Sequence, residues 1–492
     1  MTVSPAAVVV LAAGEGTRMK SAVPKVLHEL GGRSLVAHAV AAAQGLDPAH
    51  LAVVVGHGRD QVRAHLARVA PGVTVVVQDR QLGTGHAVSC ALEKLPDLDG
   101  VVVVTYGDVP LLTGGTLRDL VDRHSADGNG VTVLTAELKD PAGYGRVLRD
   151  ADGGILGIVE QKDASATVQQ VREINSGIYA FDARVLRDGL ARLTTDNAQG
   201  ELYLTDVVAI ARTDGRGVGA HRTSDAWQTQ GVNDRAQLAA LGRELNRRVL
   251  DGWMLAGVSV VDPATTWVDV TVELGRDVVL RPGVQLHGST RVDDGAEVGP
   301  DSTLTDCSVG AGAHVVRTQA VDAEIGPECA VGPFTYLRPG ARLARKAKAG
   351  AFVEIKASSV GEGSKVPHLS YVGDAEIGTG VNIGAATVVV NYDGVAKHRT
   401  IIGDHAFVGC DTMLVAPVTV GDGAHTAAGS VITDDVPPGA MAVARQRQRN
   451  VEGWVERKRA GTAAARAAAR AREEQTGDED GGTAGGGEGS QP

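Results

Sequence analysis

Aromatic residues and cysteines are both scarce in this chain, and each scarcity excludes a class of protein. Aromatic residues make up only 3% of the 492 residues, so a core must be built mainly from Val, Ile, Leu and Ala. None of the four cysteines forms a Cys-x-x-Cys pair, which argues against structural zinc and disulfides and favours a reduced, cytoplasmic protein. No run of 18 apolar residues occurs, so we expect no membrane insertion.

Lys and Arg are fewer than Asp and Glu, 48 against 59. The formal net charge of −11 argues against a general nucleic-acid-binding protein, but a local cluster of Lys and Arg can still hold an anionic small molecule. The apolar segment 6–13 follows no basic region and ends in a glycine-rich loop, so we interpret it as a strand and not a signal peptide. Hydrophobic residues reach 43%, which is enough for a large core in two or three domains.

A strict repeat of six residues is the most informative pattern in the C-terminal half. Its apolar or small members are Ile402, Val408, Leu414, Val420, Thr426 and Ile432, with Ala406, Thr412, Val418, Ala424 and Ser430 between them. The same row occurs upstream at Ile325, Val331, Leu337 and Leu343, with Cys329, Thr335 and Ala341 in the small-residue places. A period of six fits neither an α-helix nor an ordinary alternating strand. It predicts a β-helix whose stacked coils bury the row as a ladder.

The remaining chain divides by its pattern. Residues 1–235 alternate β-branched runs with helix-like stretches, which predicts an α/β domain with a mainly parallel sheet. Segment 236–256 carries Leu at helical spacing and predicts a connecting helix. The β-helix is expected over 257–455. Segment 456–492 is expected to be a separate tail, Ala- and Arg-rich and then, from residue 475, Gly-rich, acidic and disordered.

A glycine-rich turn follows the first predicted strand. It reads Leu-Ala-Ala-Gly-Glu-Gly-Thr-Arg-Met over residues 11–19, with Lys25 soon after. Gly14 and Gly16 allow backbone N–H groups to approach a phosphate, and Lys25 supplies a positive charge. The segment matches neither the Walker loop nor the dinucleotide-binding Gly motif, and taken alone it could be a simple turn. The whole string resembles the signature of sugar-1-phosphate nucleotidyltransferases.

Two polar residues are candidate ligands of Mg²⁺. Asp108 follows the predicted strand 101–105, at the end where ligands of open α/β sheets bind, although it could be a turn residue before Pro110. Asn233 precedes the connecting helix, and either Asn233 or Asp234 could instead cap that helix. Magnesium takes few protein ligands and completes its shell with phosphates and water.

Residues that a plain scaffold does not need interrupt the hexads. They include Arg338, Lys356, His368, Tyr371 and Asn382, and a loop at 391–397 that breaks the register. Arg338 could be a solvated corner, Lys356 could pair with Glu354, and a single His is more often a surface residue than a catalytic base.

Both halves together, over residues 5 to about 455, resemble the family of bacterial bifunctional N-acetylglucosamine-1-phosphate uridyltransferase/glucosamine-1-phosphate N-acetyltransferases. The resemblance implies a Rossmann-like domain, a linker helix and a left-handed β-helix that forms a homotrimer with acetyltransferase sites between subunits. It implies two steps: acetyl transfer from acetyl-CoA to glucosamine-1-phosphate, then uridylyl transfer from UTP, with Mg²⁺ as cofactor and UDP-N-acetylglucosamine as the product for peptidoglycan synthesis.

The resemblance also implies roles for individual residues. Lys25 and Arg18 would neutralise charge in uridylyl transfer, and Asp108 and Asn233 would hold the metal. The nucleotide and sugar would contact Leu11, Ala12, Ala13, Gly14, Lys25, Gln78, Gly83, Thr84, Tyr106, Gly107, Gly145, Glu160 and Asn175. His368 would be the general base of acetyl transfer, with Arg338, Lys356, Tyr371 and Asn382 on the phosphosugar. Acetyl-CoA would contact Ala385, Asn391, Tyr392, Cys410, Ala428 and Arg445.

Two residues depart from the family pattern. Cys410 stands where many relatives have Ser, which replaces a good hydrogen-bond donor with a poor one. Glu15 stands where some relatives have Lys. Two other functions remain open at this point: a monofunctional nucleotidyltransferase whose β-helix only trimerises or regulates, and a non-enzymatic nucleotide-sugar sensor. The set of His368, Asn391 and Arg445 argues against a purely structural β-helix.

Overall fold

The N-terminal domain is a mixed sheet covered by helices on both faces. The computed structural model describes residues 4–479. The strands of this domain are β1 (Ala7–Ala12), β2 (Glu29–Leu30), β3 (Arg33–Ser34), β4 (His50–Val55), β5 (Thr74–Val77), β6 (Val101–Tyr106), β7 (Val131–Glu137), β8 (Gly145–Arg149), β9 (Ile155–Val159), β10 (Glu173–Asp182) and β11 (Val218–Arg222). Its helices are α1 (Leu35–Gln44), α2 (Arg59–Val69), α3 (Thr84–Lys94), α4 (Gly114–Ala126), α5 (Ala183–Leu190) and α6 (Asp206–Thr213).

The main sheet has the strand order β11-β7-β10-β6-β1-β4-β5. The pairs of β1 with β4 and β6, of β4 with β5, and of β7 with β11 are parallel, whereas β10 is antiparallel to both neighbours. Two apolar clusters cover its opposite faces because the β-branched residues of the central strand β1 alternate between them: Val9 packs in one and Val8 and Val10 in the other. The expected mainly parallel α/β sheet is confirmed, with β10 and the β8–β9 hairpin as the antiparallel part.

The connecting helix α7 (Arg235–Leu255) joins the two domains. Its N-cap is Asp234, whose side chain accepts a hydrogen bond from the Gln237 backbone N–H at 2.9 Å. Two faces of the helix serve the two domains: Leu241 packs with the N-terminal domain, and Leu250, on the opposite side of the helix, packs in the β-helix core. The helix therefore fixes the first coil of the β-helix against the N-terminal domain.

The C-terminal domain is a parallel β-helix with three columns of short strands. The first column contains β12 (Ser259–Val260), β15 (Val279–Leu280), β18 (Glu297–Val298), β21 (His314–Val315), β24 (Ala330–Val331), β27 (Lys348–Ala351), β30 (Lys365–His368), β33 (Asn382–Ile383), β36 (Phe407–Val408), β39 (His425–Thr426) and β41 (Met441–Ala442). The second contains β13 (Trp267–Val268), β16 (Gln285–His287), β19 (Thr303–Thr305), β22 (Thr318–Val321), β25 (Thr335–Leu337), β28 (Glu354–Lys356), β31 (Tyr371–Gly373), β34 (Val388–Val390), β37 (Met413–Val415) and β40 (Val431–Ile432).

The third column contains β14 (Glu273–Leu274), β17 (Arg291–Val292), β20 (Ser308–Val309), β23 (Glu324–Ile325), β26 (Arg342–Leu343), β29 (Ser359–Val360), β32 (Ala375–Ile377), β35 (Thr400–Ile402) and β38 (Val418–Val420). Every member of the six-residue row over 402–432 is buried, and so are the small residues between them. The ladder predicted from the period of six is therefore confirmed as the core of this domain.

The predicted protruding loop is also present. Residue Asn382 pairs with Phe407 in the next coil, a much longer step along the chain than the one from Phe407 to His425. The extra residues form the exposed loop around Tyr392 and Val395. Beyond the β-helix, α8 (Trp454–Lys458) and α9 (Ala463–Glu479) follow. Helix α9 includes the first residues of the segment expected to be disordered from residue 475, which corrects that boundary, and 480–492 lie outside the described residues.

Candidate active sites

The carboxyl ends of β1 and β6 open into a cavity of about 290 Å³. Sequence reasoning named most of its lining: Leu11, Ala12, Ala13, Gly14, Lys25, Gln78, Gly83, Thr84, Tyr106 and Asp108. A Cβ on Gly16 would lie 2.5 Å from the Lys25 Cβ, and the backbone of Gly16 has a φ of +65°. This position requires glycine, which lets the loop approach the Lys25 side chain closely.

Gln81 and Glu201 also line this cavity, although neither is predicted as a site residue from the sequence. The Gln81 carboxamide donates to the Ala13 carbonyl at 2.9 Å, while the Gln78 carboxamide donates to the Gly83 carbonyl at 3.1 Å. The first bond ties the loop after β5 to the loop after β1, and the second stays within the loop after β5. Gln81 lies in the same short polar segment as Gln78 and Gly83, so proximity in the sequence was an available signal. Glu201 is far along the chain and left no such signal.

A second cavity of about 190 Å³ adjoins the first. Tyr106 and Asp108 line both cavities, and Gly145, Glu160, Asn175 and Asn233 line the second, as do Tyr144, Ser176 and Thr229, which the sequence analysis did not single out. The Tyr179 hydroxyl donates to the Asn175 carboxamide oxygen at 2.9 Å. Burial, reinforced by the negative charge of Asp163, raises the pKa of the Glu160 carboxyl. This cavity is an open, mainly polar pocket of a kind that suits sugar hydroxyls.

Charges meet where the two cavities join. The Lys25 ammonium forms an ion pair with the Asp108 carboxylate, and the Arg18 guanidinium donates to the Asn233 carboxamide oxygen at 2.8 Å. Because Asp234 caps helix α7, the side chain of Asn233 is not used as the cap. Among the described residues no group of three or more His, Cys, Asp or Glu side chains could hold a metal, so any metal here would have few protein ligands.

The second candidate site lies on the β-helix. Arg338 and Lys356 follow Leu337 and Ile355, which pair in register, so the two cations occupy equivalent corners of successive coils. The Arg338 guanidinium bonds the Glu354 carboxylate at 2.8 Å, and the Lys356 ammonium lies 3.6 Å from the Asp374 carboxylate. The alternative expectation that Lys356 pairs with Glu354 is therefore wrong. Glu354 pairs with Arg338, and Lys356 pairs with Asp374 of the next coil.

Asn391 joins this charged group. Its carboxamide donates to the Asp374 carboxylate at 2.5 Å and to the Tyr371 hydroxyl at 3.4 Å. A Cβ on Gly373 would lie 2.4 Å from that hydroxyl and 2.7 Å from the Asn391 nitrogen, so glycine here makes room for both. Asn391 was expected beside acetyl-CoA, yet its contacts lie with the residues expected to bind the phosphosugar.

Lys397 also belongs to this group, although the sequence analysis placed it only in the protruding loop. The neighbouring Lys356 ammonium lowers the pKa of Lys397, while Asp374 opposes that effect. Two ammonium groups held side by side are costly without an anion between them, so this corner suits a phosphate. The Tyr392 hydroxyl donates to the Gly394 carbonyl at 2.6 Å and shapes the loop that carries Lys397.

His368, Ala385, Cys410 and Ala428 lie one above the other in successive coils. The His368 carbonyl accepts from the Ala386 N–H at 3.3 Å, the Ala385 carbonyl from the Asp411 N–H at 2.7 Å, and the Cys410 carbonyl from the Gly429 N–H at 2.9 Å. Arg445 continues the row, because its Cδ lies 3.8 Å from the Cβ position of Gly429. His368 and Cys410 are exposed, and no described residue hydrogen-bonds to the His368 ring.

Both domains of the chain match known protein families. The family model of the MobA-like NTP transferase domain matches residues 8–173, and the model of the bacterial transferase hexapeptide (six repeats) matches residues 399–434. The chain is 62% identical over 466 residues to the bifunctional protein GlmU of Streptomyces coelicolor, covering 94% of this chain and 97% of that protein. The chain belongs to the GlmU family.

Two further GlmU proteins show the same extent of similarity. The protein of Kineococcus radiotolerans is 62% identical over 94% of each chain, and that of Corynebacterium glutamicum is 58% identical over 93% of this chain and 96% of its own. Membership in the GlmU family confirms the left-handed β-helix and the bifunctional activity. The enzyme acetylates glucosamine-1-phosphate from acetyl-CoA and then forms UDP-N-acetylglucosamine from UTP. Within the described part of the chain, no helix is long and apolar enough to cross a bilayer.

Proposed function

We propose that the two reactions take place at the two sites described above, uridylyl transfer in the joined cavities of the N-terminal domain and acetyl transfer on the β-helix. One observation supports this assignment of one reaction to each domain: each domain has its own group of cations at its candidate site. Lys25 and Arg18 lie at the junction of the cavities, and Arg338, Lys356 and Lys397 lie at one corner of the β-helix.

In uridylyl transfer, UTP would occupy the first cavity and N-acetylglucosamine-1-phosphate the second. The phosphate monoester is largely dianionic at neutral pH, because its second pKa is about 6. It therefore attacks the α-phosphorus without a general base, and pyrophosphate leaves. Lys25 and Arg18 act by holding the phosphates in line and neutralising their charge. The Glu160 carboxylate would accept hydrogen bonds from the sugar hydroxyls. The Asn175 carboxamide would donate hydrogen bonds to them.

The oxygen ligands at the cavity junction fit Mg²⁺. The Asp108 carboxylate and the Asn233 carboxamide oxygen already face cations, Lys25 and Arg18, and hard oxygen donors of this type are what Mg²⁺ binds. When bound, the metal would supply charge neutralisation on the triphosphate. Asp108→Asn tests the assignment: the Mg²⁺ concentration that gives half-maximal pyrophosphate release should rise at least about tenfold. The exposed control Asp60→Asn should leave it unchanged, and an unchanged Mg²⁺ requirement in Asp108→Asn would remove Asp108 from the metal site.

In acetyl transfer, Arg338, Lys356, Tyr371 and Asn382 would hold the phosphosugar. His368 would accept the proton of the amine as it attacks the thioester carbonyl. As the amide forms, the C–S bond would break, and the sulfur of CoA would leave with that proton. The row formed by Ala385, Cys410, Ala428 and Arg445 starts one coil above His368, so acetyl-CoA lying along it would bring its thioester toward the imidazole. Asn391 and Tyr392 would shape the far side of this cleft.

The open setting of the second site supports a homotrimer with acetyltransferase sites between subunits. His368 and Cys410 are exposed in the single chain, whereas an acyl transfer needs its reacting groups shielded from water. Light scattering should give three times the chain mass of 50.6 kDa, and a monomer that retains acetyl transfer would refute the shared site. The four unpaired cysteines, together with UTP and acetyl-CoA as substrates, support a cytoplasmic location.

A further inference from the structure

Arg146 is an unusual residue in the N-terminal domain. Its side chain is 2% exposed, and no other Arg or Lys in residues 4–475 is buried to this degree. It forms no ion pair with any described carboxylate, and its Nε atom has no hydrogen-bond partner. A buried cation without a counter-charge costs stability, and a hydrophobic side chain of similar size is often neutral or stabilising at such a position. Packing alone therefore gives no reason for an arginine here.

The guanidinium of Arg146 joins two segments of the chain. Its Nη2 donates to the Gln161 side-chain oxygen at 2.9 Å, and its Nη1 donates to the Tyr144 carbonyl. The same Gln161 oxygen accepts the backbone N–H of Gly143 at 3.2 Å. We call these three bonds the Arg146–Gln161 clip. The clip fastens the loop of residues 143–145 to the chain that follows β9.

The two segments that the clip joins form a wall of the second cavity. Tyr144, Gly145 and Glu160 all line that cavity, and Gln161 follows Glu160 directly. A Cβ on Gly145 would lie 3.4 Å from the Glu160 carboxylate, so the loop and the carboxylate are in direct contact. The Tyr144 hydroxyl reaches across to the backbone of Gly231. A small shift of the clip would therefore move Tyr144 and Glu160 together.

We propose that Arg146 and Gln161 are positioning residues for the sugar phosphate in uridylyl transfer. They touch neither substrate, and they act by holding Tyr144 and Glu160 where the sugar binds. Only a side chain with several fixed donors can bond the Tyr144 carbonyl and the Gln161 oxygen at once, which accounts for a buried arginine. This inference rests on the proposed placement of the sugar in the second cavity.

The test compares two clip variants with a matched control on the same strand. Gln161→Ala removes the shared acceptor, and Arg146→Met removes the donors while filling the space. Arg149→Met is the control, because Arg149 lies on β8, pairs with Glu173 instead and does not line the cavity. We expect Gln161→Ala and Arg146→Met to raise the KM for N-acetylglucosamine-1-phosphate about tenfold. The KM for UTP and the rate of acetyl transfer should stay within about twofold of wild type.

A structural role would give a different result. If the clip served only the fold, Tm would fall and both Michaelis constants would change together or not at all, and either outcome would overturn the proposal. Arg146→Lys, which keeps the charge and a single donor position, should recover part of the sugar KM. If Arg146→Met does not fold, Gln161→Ala decides alone, since Gln161 is only partly buried.

A parallel variant separates this inference from the proposed site itself. Glu160→Ala should raise the KM for the sugar phosphate. If Glu160→Ala raises this KM and the two clip variants do not, the positioning role of the clip is refuted and the placement of the sugar in the second cavity is retained. If Glu160→Ala also leaves the sugar KM unchanged, the sugar lies elsewhere, and both the placement and the clip are overturned.

Discussion

The Lys25 ammonium and the Asp108 carboxylate form an ion pair at the junction of the first and second cavities of the N-terminal domain. The two residues reach this point from separate elements, Lys25 from a short 3-10 helix over Lys25–Leu27 and Asp108 from the end of β6. Arg18 and Asn233 make a similar contact beside them. Each proposed metal ligand thus contacts a cationic side chain, and the charge of the Asp108 carboxylate is compensated.

Removing the cation of this pair should impair only one reaction. In Lys25→Met we expect kcat/KM for uridylyl transfer to fall by about 10²-fold or more, because charge on the phosphates is no longer neutralised. Lys25→Arg should not restore the rate, since the larger planar guanidinium does not fit the place of a compact ammonium. Pyrophosphate release checks both variants. Equal loss of CoA release in Lys25→Met would show that the variant disturbs the whole chain and not one site.

The Glu160 carboxyl should make the folded enzyme less stable as pH rises. Burial and the charge of Asp163 raise its pKa in the folded state, whereas in the unfolded chain it titrates near its ordinary value of about 4.3. The folded state therefore binds the proton more tightly, and stability is lost as pH rises from the ordinary pKa through the raised one.

Glu160→Gln should accordingly raise the free energy of unfolding at pH 8, and this gain should shrink as the pH is lowered to 5. Urea denaturation at the two pH values measures the difference, with the exposed Glu93→Gln as control. The same variant should bind the sugar phosphate less well, so activity and stability should change in opposite directions. A stability gain in Glu160→Gln that is equal at both pH values would contradict the raised pKa.

Adjacent isoleucines in the β-helix provide a matched test of the ladder. Ile402 is 2% exposed and Ile401 is 42% exposed, so the same substitution probes the core and the surface of one strand. We expect Ile402→Ala to lower the free energy of unfolding by about 2–5 kcal/mol and Ile401→Ala by about 1 kcal/mol or less. Comparable losses in the two variants would contradict the assignment of the six-residue row to the core.

The cluster at the β-helix corner should determine affinity for the phosphosugar and not for the thioester. In Lys397→Met we expect the KM for glucosamine-1-phosphate to rise about tenfold, because one of the three cations proposed to face the phosphate is lost. The KM for acetyl-CoA should change little. The exposed Arg345, which pairs with Glu328, serves as control when changed to Met. A selective rise in the KM for acetyl-CoA would place Lys397 on the other substrate.

The sequence predicted the parts of the molecule that depend on local pattern. The period of six fixes which residues enter the ladder, since burial of Ile402, Leu414 and Ile432 follows from spacing alone. The glycine-rich loop and Lys25 were predicted for the same reason, because they lie within one short segment. The family resemblance supplied the identity of the substrates, which no periodicity contains.

Features that depend on contacts between distant segments could not be predicted. The sequence suggests Glu354 as the partner of Lys356 because the two residues are close in sequence. The stacking of coils instead pairs Lys356 with Asp374 and Glu354 with Arg338. Whether Asn233 or Asp234 caps helix α7 depends on the exact start of that helix. The burial of Arg146 follows from packing between β8 and the segment after β9, and the sequence carried no signal for it.

A crossed pair of assays tests most directly whether two independent sites carry the two reactions. Pyrophosphate release from UTP with N-acetylglucosamine-1-phosphate and CoA release from acetyl-CoA with glucosamine-1-phosphate are measured on wild type, Asp108→Ala and His368→Ala. We predict that His368→Ala loses CoA release and keeps pyrophosphate release, and that Asp108→Ala shows the reverse. Loss of both activities in either variant, or of neither, would contradict the assignment of the two sites.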